Sequence, residues 1–384
     1  MYTLTLDEQT YNGADLRYLY YPGDDEYVVS DFTVSLSGEE CSTIEFTMYK
    51  DHPWFGSIIP RVSMVTFKRD GKILSHGQVH SVTKNLDGSM KVYVVDELSF
   101  LLDSVQPQRY LTNITYREVM DQLLQYHRSV MPQEKWFFTG YVEGPGDATA
   151  IARSVVTTNF EKTLNVIRDE MAYTTYYNGG VIYMQNKLIM TIARSDNTDV
   201  TSTRSLNLVQ MHNGPMLRQP IKVGLNMQEY QNTVANEDLA TALIPLGARL
   251  DTEVVPGLET KVDIKSVNGG LNYIVDDEAV AQYGLIFDVV EYDDVTKPAN
   301  LKKLAERELA NRRKLMDEYT ISAVDLSLVD SDFDQFEIGM GVFVDDPTDP
   351  QHNVPDFMII GMTINPEDPS GNSITLLKSN WGYS

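Results

Sequence analysis

Cysteine is nearly absent from this chain, since Cys41 is the only one in 384 residues. A lone cysteine cannot form a disulfide within the chain, and it excludes zinc sites built from several thiolates. The composition therefore favours folding in a reducing cytosol. In a segment rich in predicted strands, a single cysteine is typical of a small buried apolar residue rather than a nucleophile.

Positive charge is also scarce. Lys and Arg number 31 against 55 Asp and Glu, which gives a formal net charge of −24 at pH 7. This balance excludes nucleic-acid binding through phosphate neutralisation and a polybasic membrane anchor. The sequence has no apolar run of about eighteen residues, and its first residues alternate in polarity where a signal peptide would be apolar. We therefore expect a protein made in the cytoplasm, with no segment removed.

Local catalytic signatures are missing as well. The sequence contains no H-E-x-x-H, G-x-S-x-G or G-x-x-x-x-G-K-[ST] motif, so the zinc-hydrolase, serine-hydrolase and P-loop classes lack their characteristic residues. We predict no catalytic, cofactor-binding or metal-binding residues and no cofactor. Carboxylate pairs of the glycosidase type stay open, because such pairs form only in the fold.

Two short patterns partly match metal sites, but neither predicts one. His76 and His80 flank Gln78 at alternate positions of a predicted strand, which would place them on one face. Surface and pairing roles are far commoner for such residues. Asp330 begins a calcium-loop pattern, but Gln335 replaces the required glycine and Gly341 replaces the required glutamate. A solvated acidic turn explains this segment.

Alternating apolar residues separated by Gly and Asp turns predict about six short strands before Pro107. Capping-box spacing at Thr115–Glu118 and at Thr158–Glu161 then predicts two helix starts. A longer helix is predicted from Asn300 to about Met316. The predicted fold class is multidomain β-rich α+β, with two related antiparallel β-barrel domains plus two smaller α+β domains. The predicted domains are a first β-barrel at 1–106, an α+β domain at 107–205, a discontinuous second β-barrel at 206–250 and 318–384, and a small inserted α+β domain at 251–317.

The two barrels are predicted from an internal repeat. Residues 43–95 and 319–377 both read as strand, small-residue kink, strand, turn, strand, glycine, turn and strand. Gly77 and Gly361 hold matching places in this order. Chance likeness between β-rich stretches is the alternative, but the shared order favours duplication. Three copies of such a chain would present six similar units in a ring.

The order of motifs from residue 242 to 344 resembles the phage family called prophage endopeptidase tail, the amino-terminal hub module of siphophage tail-associated lysins. The resemblance rests, in this order, on the segments Ala242–Ala248, Val267–Gly270, Tyr273–Glu278, Tyr283–Ile286, Leu301–Leu309, Ala323–Leu326 and Phe336–Val344. Family motif residues with an expected structural role are Pro245, Leu246, Gly247, Tyr283, Gly284, Asp325, Leu326 and Gly339.

The resemblance implies a structural virion protein similar to the baseplate hub of contractile-tailed phages. Such a homotrimer would sit at the distal tail tip, join the tail tube and the distal tail protein to the tip, and gate the DNA conduit. The implied partners are further copies of the chain, the distal tail protein, the tape-measure protein and tail fibre or lysin proteins. Phage DNA would pass without specific binding, because acidic walls repel phosphate.

The family name does not by itself imply an enzyme here. In relatives the peptidoglycan-cleaving domains lie beyond the hub, and these residues supply no recognisable nucleophile and base. We therefore expect no enzymatic activity. The alternatives from other functional classes are a peptidoglycan hydrolase of the tail tip and a host-glycan-binding module.

Overall fold

The computed structural model consists mainly of short strands, with a few α-helices. It describes residues 1–7, 17–142, 151–171, 173–178, 181–210, 217–234, 239–250, 260–293, 295–312, 317–328, 330–345 and 357–378.

The amino-terminal part consists of strands before its first α-helix. Its strands are β1 Tyr2–Asp7, β2 Arg17–Tyr20, β3 Ser30–Ser37, β4 Thr43–Met48, β5 Met64–Arg69, β6 Lys72–Lys84 and β7 Met90–Asp96. The next elements are β8 Val105–Gln106, β9 Arg109–Thr115, α1 Tyr116–Val130, β10 Phe138–Val142, β11 Ile151–Thr158, β12 Glu161–Lys162, α2 Thr163–Met171, β13 Tyr173–Asn178, β14 Val181–Arg194 and β15 Arg204–Gln210.

The carboxy-terminal part adds two helices and eight strands within the described residues. They are β16 Met227–Val234, β17 Ala242–Leu246, β18 Ile274–Val275, α3 Asp277–Tyr283, β19 Phe287–Glu291, α4 Pro298–Arg312, β20 Asp317–Ala323, β21 Gly341–Val342, β22 Phe357–Ile364 and β23 Ser373–Lys378. The predicted start of α4 is right within two residues, and residues 313–316 of that prediction lie outside the described part.

One of the two predicted capping boxes is confirmed. The Thr115 hydroxyl accepts a hydrogen bond from the Glu118 backbone N–H, and the Glu118 carboxylate accepts one from the Thr115 N–H at 2.8 Å. The second prediction is wrong, because α2 begins at Thr163 and Glu161 belongs to β12. The Thr158 hydroxyl donates instead to the Pro107 carbonyl.

A twelve-stranded sheet dominates the fold. Its strands follow the order β16-β20-β23-β22-β3-β4-β7-β6-β5-β1-β2, with β21 paired to β22 beside this path. Strands from both ends of the chain are therefore neighbours in one sheet. The predicted fold class, multidomain β-rich α+β, is confirmed.

The predicted repeat is present as matching strand order. The first copy pairs its strands in the order β4, β7, β6, β5, and the second copy in the order β20, β23, β22, β21. The register of β6 against β7 shifts between Val79 and Ser81, and that of β22 against β23 shifts between Ile359 and Gly361. Both copies thus carry a bulge at the same place. By this register, Gly361 of the second copy is equivalent to Ser81 of the first, so its predicted match with Gly77 is wrong.

The chain divides into two compact units. The first comprises Met1–Thr174, Asn186–Asn232 and Tyr319–Ser384, and the second comprises Thr175–Gln185 and Thr233–Glu318. In the second unit, the central strand β17 pairs antiparallel with β18 and parallel with β19. The four domain boundaries derived from the sequence stay predictions.

Apolar clusters stabilise the first unit. The face of α1 with Val119, Leu123 and Leu124 packs with Phe100 and Phe137, and all five side chains are buried. A second cluster fills the first copy of the repeat with Leu4, Phe46, Phe67, Val79 and Val92. A third, including Ile321, Phe336, Val342, Ile359 and Leu376, fills the second copy.

A buried carboxylate joins the first copy to β14 and β15. Glu97 follows β7 and accepts hydrogen bonds from Arg204 at 2.5 Å and from Arg194, while His76 Nδ1 lies 2.7 Å from it. Its side chain is 2% exposed. Burial raises the pKa of Glu97, but His76, Arg204 and Arg194 outweigh this effect and lower the pKa to about 2.

We predict that Glu97→Gln lowers the free energy of unfolding by about 3–5 kcal/mol at pH 7, because two buried guanidinium groups lose their counter-ion. Glu45→Gln is the matched control, since Glu45 pairs with exposed Lys91; it should stay close to the original chain. Denaturant titration measures both.

The same experiment has a pH signature. The lowered pKa means that the stabilisation by Glu97 is complete above about pH 4.5 and is lost as the pH falls through about 2. The gap between the original chain and Glu97→Gln should therefore narrow on acidification. A gap that is constant with pH would contradict the assigned ion pairs.

Candidate functional site

The two copies of the repeat meet at a strand junction inside one chain. β3, which pairs with β4 at the start of the first copy, also pairs antiparallel with β22 of the second, from Gly361 opposite Ser37 to Ile364 opposite Val34. The N–H of Gly38 extends the junction by donating to the Ile360 carbonyl at 2.8 Å. These hydrogen bonds make one continuous sheet of the two copies.

The backbone at this junction is crowded. A Cβ atom on Gly38 would lie 3.0 Å from Cγ2 of Ile338 and 3.1 Å from Cβ of Ile189. Ile189 forms a small buried cluster with Met358 and Ile360. The absence of a side chain at residue 38 therefore allows β14 to pack against the join between the copies.

A buried ion pair fastens the same two copies away from this junction. Arg69, at the end of β5, donates to Asp325, which follows β20, at 2.5 Å. The side chains are only 4% and 7% exposed. A second guanidinium nitrogen of Arg69 donates to the Ser327 hydroxyl at 2.6 Å. Residues 256 apart in sequence are thus joined by a desolvated pair.

Both oxygens of Asp325 are used. Oδ2 accepts from Arg69, while Oδ1 accepts from the Gln219 amide at 2.9 Å and from Ser327. The side-chain amide oxygen Oε1 of Gln219 in turn accepts a hydrogen bond from the backbone N–H of Leu326. The attraction within a buried ion pair offsets the cost of desolvation only when the remaining hydrogen-bonding positions of the pair are filled. On the Asp325 carboxylate they are filled. We call Arg69, Gln219, Asp325 and Ser327 the clasp.

The structure distributes the predicted family motif residues over both units. Asp325 belongs to the clasp, Leu326 begins a short 3-10 turn, and Gly339 has a positive φ of 88° beside Ile189. These three residues lie in the first unit and adjoin the contacts between the copies.

The other motif residues lie in the second unit. Pro245 and Leu246 end β17, and a Cβ on Gly247 would lie 2.4 Å from the Val295 carbonyl oxygen. Tyr283 ends α3, and Gly284 follows it with a φ of 84°, which favours glycine. The structural role that the sequence predicts for these five motif residues stays a prediction.

A serine–histidine pair in the first unit was not found from the sequence. Ser104 Oγ lies 2.7 Å from His127 Nδ1, and His127 Nε2 lies 2.9 Å from the Lys135 carbonyl oxygen. The arrangement resembles a nucleophile and its base. However, Ser104 is 2% exposed and His127 is fully buried, and burial lowers the pKa of His127. Buried in this way, Ser104 is not accessible to a substrate. It also lies 2.6 Å from the Thr163 hydroxyl, so these side chains join the start of β8 to α1 and α2.

The candidate metal ligands named from the sequence do not converge. Gln78 donates to the Arg61 carbonyl, His76 lies against Glu97, and His80 is exposed near Arg61. In the part of the chain that the structure describes, no group of three His, Cys, Asp or Glu side chains could hold a metal ion. In the acidic turn that begins at Asp330, the Asp334 carboxylate accepts a hydrogen bond from the Arg218 guanidinium at 2.8 Å.

Cys41 is unsuited to nucleophilic chemistry. Burial and the nearby Asp96 and Glu40 carboxylates raise the pKa of its thiol to about 12. At neutral pH the reactive thiolate is therefore scarce. The side chain packs instead against the apolar cluster around α1.

Membrane insertion through helices finds no support in the described ranges: none of the helices there has both the length and the apolar character of a membrane span.

The family comparison supports the resemblance drawn from the sequence. Residues 217–379 match the model of the family described as prophage endopeptidase tail. This match covers the second copy of the repeat and the second unit's sheet and helices. A comparison with curated proteins finds no match.

Solved structures extend the likeness to the whole chain. A tail protein from Neisseria meningitidis MC58 is 13% identical, with a TM-score of 0.57, and the match covers 99% of this chain and 97% of that one. The 43 kDa tail protein of prophage MuSo2 from Shewanella oneidensis is 12% identical, with a TM-score of 0.55 and 98% of each chain covered. Prophage tail protein gp18 from Listeria monocytogenes EGD-e is 12% identical, with a TM-score of 0.53, and the match covers 98% of this chain and 94% of that one.

These likenesses show that the chain has the fold of prophage tail proteins along nearly its full length. The predicted resemblance to the phage tail family is confirmed.

We predict that Asp325→Asn lowers the free energy of unfolding by about 3–5 kcal/mol, since it leaves Arg69 buried without its charged partner. Asp334→Asn is the matched control, because its partner Arg218 is 74% exposed; its effect should be much smaller. Thermal and denaturant unfolding of both variants check this. Equal losses for the two variants would show that the clasp does not stabilise the contact between copies.

Proposed function

We propose that this chain, whose residues 217–379 match the prophage endopeptidase tail family, is a structural component of a phage tail and forms the hub at the tail tip as a homotrimer. In this role it joins the tail tube and the distal tail protein to the tip and gates the DNA conduit. The observation that carries the proposal is the junction between β3 and β22, because the repeat generates the same junction a second time, between neighbouring copies of the chain.

The first half of the second junction is an open edge on β6. In the second copy, β21 and β3 occupy successive parts of one edge of β22, while β23 occupies the other edge. In the first copy, β5 pairs with β6 only as far as Gln78, and β7 occupies the other edge to Lys84. Ser81–Lys84, the equivalent of Gly361–Ile364, therefore has no strand on its β5 side among the described residues.

The second half is β16. Just as β3 pairs with β4 at the start of the first copy, β16 pairs with β20 at the start of the second. β16 lies at the end of the sheet path, so its outer edge is not paired within the described residues. Unpaired strand edges expose backbone donors and acceptors and attract another strand. We assign the outer edge of β16 to Ser81–Lys84 of a neighbouring copy.

This contact is head-to-tail, so its repetition closes a ring or extends a filament. A ring of three chains contains six alike junctions, three within chains and three between them. Six similar units match the six-fold tube that the family resemblance implies, and three chains match a three-fold tip.

The charge supports a conduit role. Each chain of the trimer contributes a formal charge of −24, and an acidic wall lets DNA pass without adhering to it. We further propose that the chain is not an enzyme, in line with the buried Ser104–His127 pair and the raised pKa of Cys41. Its proposed partners are the distal tail protein, the tape-measure protein and fibre or lysin proteins.

We predict that mixing Thr83→Cys with Gln228→Cys, each in a Cys41→Ala background, gives a disulfide-linked pair on mild oxidation. Thr83 lies on the open edge of β6, and exposed Gln228 lies on β16. Non-reducing electrophoresis measures the product. Gln231→Cys, three residues further along β16 and therefore on its opposite face, tests whether the other face of the strand lies beside Thr83.

The control for this cross-link lies on the same strand. Lys72→Cys occupies the end of β6 that β5 already covers, so it should give no product with Gln228→Cys. Neither single variant should cross-link with itself, because a head-to-tail contact brings different residues together. Dimers formed by one variant alone would contradict the ring.

We predict that electron micrographs of the purified protein at high concentration show rings with a central hole, and that light scattering gives the mass of three chains. A stable dimer would contradict the proposal. Loss of turbidity of Gram-positive cell walls on adding the protein would favour the hydrolase alternative instead.

A further inference from the structure

The two copies of the repeat carry opposite charge. Residues 43–95 contain seven Lys and Arg against four Asp and Glu, whereas residues 319–377 contain eleven Asp and Glu and no Lys or Arg. The formal charges of the two copies are therefore +3 and −11, although their strands pair in the same order. Surfaces of opposite sign attract each other and orient each other on approach. The first copy of one chain is thus electrostatically complementary to the second copy of another.

Within one chain, this complementarity appears in the clasp and not in the strand junction. Arg69 of the first copy pairs with Asp325 of the second. The paired segments of the junction, Val34–Ser37 on β3 and Gly361–Ile364 on β22, contain no charged residue. Here strand pairing needs no charge to choose its partner, because the covalent chain already holds the two copies near each other.

The two strand edges assigned above to the contact between chains each carry one charge. The segment Ser81–Lys84 of β6 has Lys84 as its single charged residue, and Met227–Val234 of β16 has Glu229. Both side chains are exposed. Neither forms an ion pair within the part of the chain that the structure describes. Each edge therefore offers one unpaired charge, and the two charges are opposite in sign.

Antiparallel pairing of these edges would bring the two charges together. A register with Thr83 opposite Gln228 places Lys84 opposite Met227. Glu229 then lies diagonally across from Lys84 on the same face of the sheet. Long side chains reach across this diagonal, and opposite charges there stabilise the pairing of the strands.

Pairing between like edges would have the reverse effect. Two β6 edges would bring Lys84 of one chain near Lys84 of another, and two β16 edges would do the same for Glu229. A single charge of either sign also protects an exposed edge from aggregation. Protection alone does not require opposite signs, whereas pairing between unlike edges does. The signs therefore favour a second copy of this chain, bound head-to-tail, as the partner of each edge.

We propose that Lys84 and Glu229 form an ion pair across the contact between neighbouring chains, and that this pair selects the head-to-tail contact of β6 with β16. This inference rests on the proposed hub ring and specifies what distinguishes its two kinds of junction. The junction within a chain depends on the covalent link between the copies, and the junction between chains depends on charge. In a ring of three chains the pair occurs three times.

The test measures, by light scattering, the concentration at which the full chain is half assembled. Lys84→Glu and Glu229→Lys should each raise this concentration about fivefold or more, because like charges then meet at all three junctions. Both exchanges in one chain should return it to within about twofold of the original value, since the pair is restored with reversed signs. The differences should shrink as salt is added.

The matched control is Lys72→Glu, which makes the same change of charge at the end of β6 that β5 covers. It should leave assembly unchanged. The two single exchanges also separate a local pair from overall repulsion between acidic chains. Lys84→Glu makes the chain more acidic and Glu229→Lys makes it less acidic, so overall repulsion would weaken assembly in the first and strengthen it in the second. Circular dichroism confirms that each variant is folded.

Two results would overturn the proposed ion pair. One is assembly of Lys84→Glu as strong as that of the original chain, which would mean that the lysine only protects the edge. The other is failure of the double exchange to restore assembly. Rings of equal stability in all variants would contradict the ion pair and leave the hub intact, whereas an original chain that stays monomeric at high concentration would contradict both.

Discussion

The pairing of β3 with β22 is the interaction on which the rest of the structure depends. It closes the gap between two copies of a repeat that lie at opposite ends of the chain. Backbone donors and acceptors on a buried strand must find partners, and here each copy supplies the partners that the other lacks. The clasp adds a charged contact between the same two copies, from Arg69 to Asp325. Together they explain why the strands of both copies form a single sheet.

The two contacts stabilise this arrangement in different ways. Strand pairing sets the register, because a slip by one residue would turn Val34 and Leu36 to the other face. The clasp favours a single arrangement of the two copies. Arg69 and Asp325 are both buried, and either charge would destabilise the fold if it were buried without its partner. Asp325, which the sequence analysis predicts to be a family motif residue, contributes to these contacts through hydrogen bonds within the chain.

Much of the fold was readable from the sequence because strand patterning is local. The order of strands in both copies, the cap at Thr115 and the helix starting near Asn300 each depend on residues close together in the chain. The match of Gly77 with Gly361 failed because a bulge changes register without changing composition. The clasp, the Glu97 cluster and the Ser104–His127 pair could not be predicted, because their members are tens to hundreds of residues apart. Thr158 shows the limit of a motif. The spacing of a capping box is present at Thr158–Glu161, but Glu161 belongs to β12 and the helix begins only at Thr163.

The separation of β3 from β22 has a consequence during synthesis. More than three hundred residues must be made after β3 before its partner strand leaves the ribosome. Until then the nascent chain carries an unsatisfied strand edge and an arginine without its carboxylate. Contacts of such long range form slowly, and exposed edges invite aggregation meanwhile. Ser35 and Ser37 alternate with Val34 and Leu36 along this edge, so the exposed edge is less apolar than an uninterrupted run of branched apolar residues, and this lowers the hazard until β22 has been synthesised.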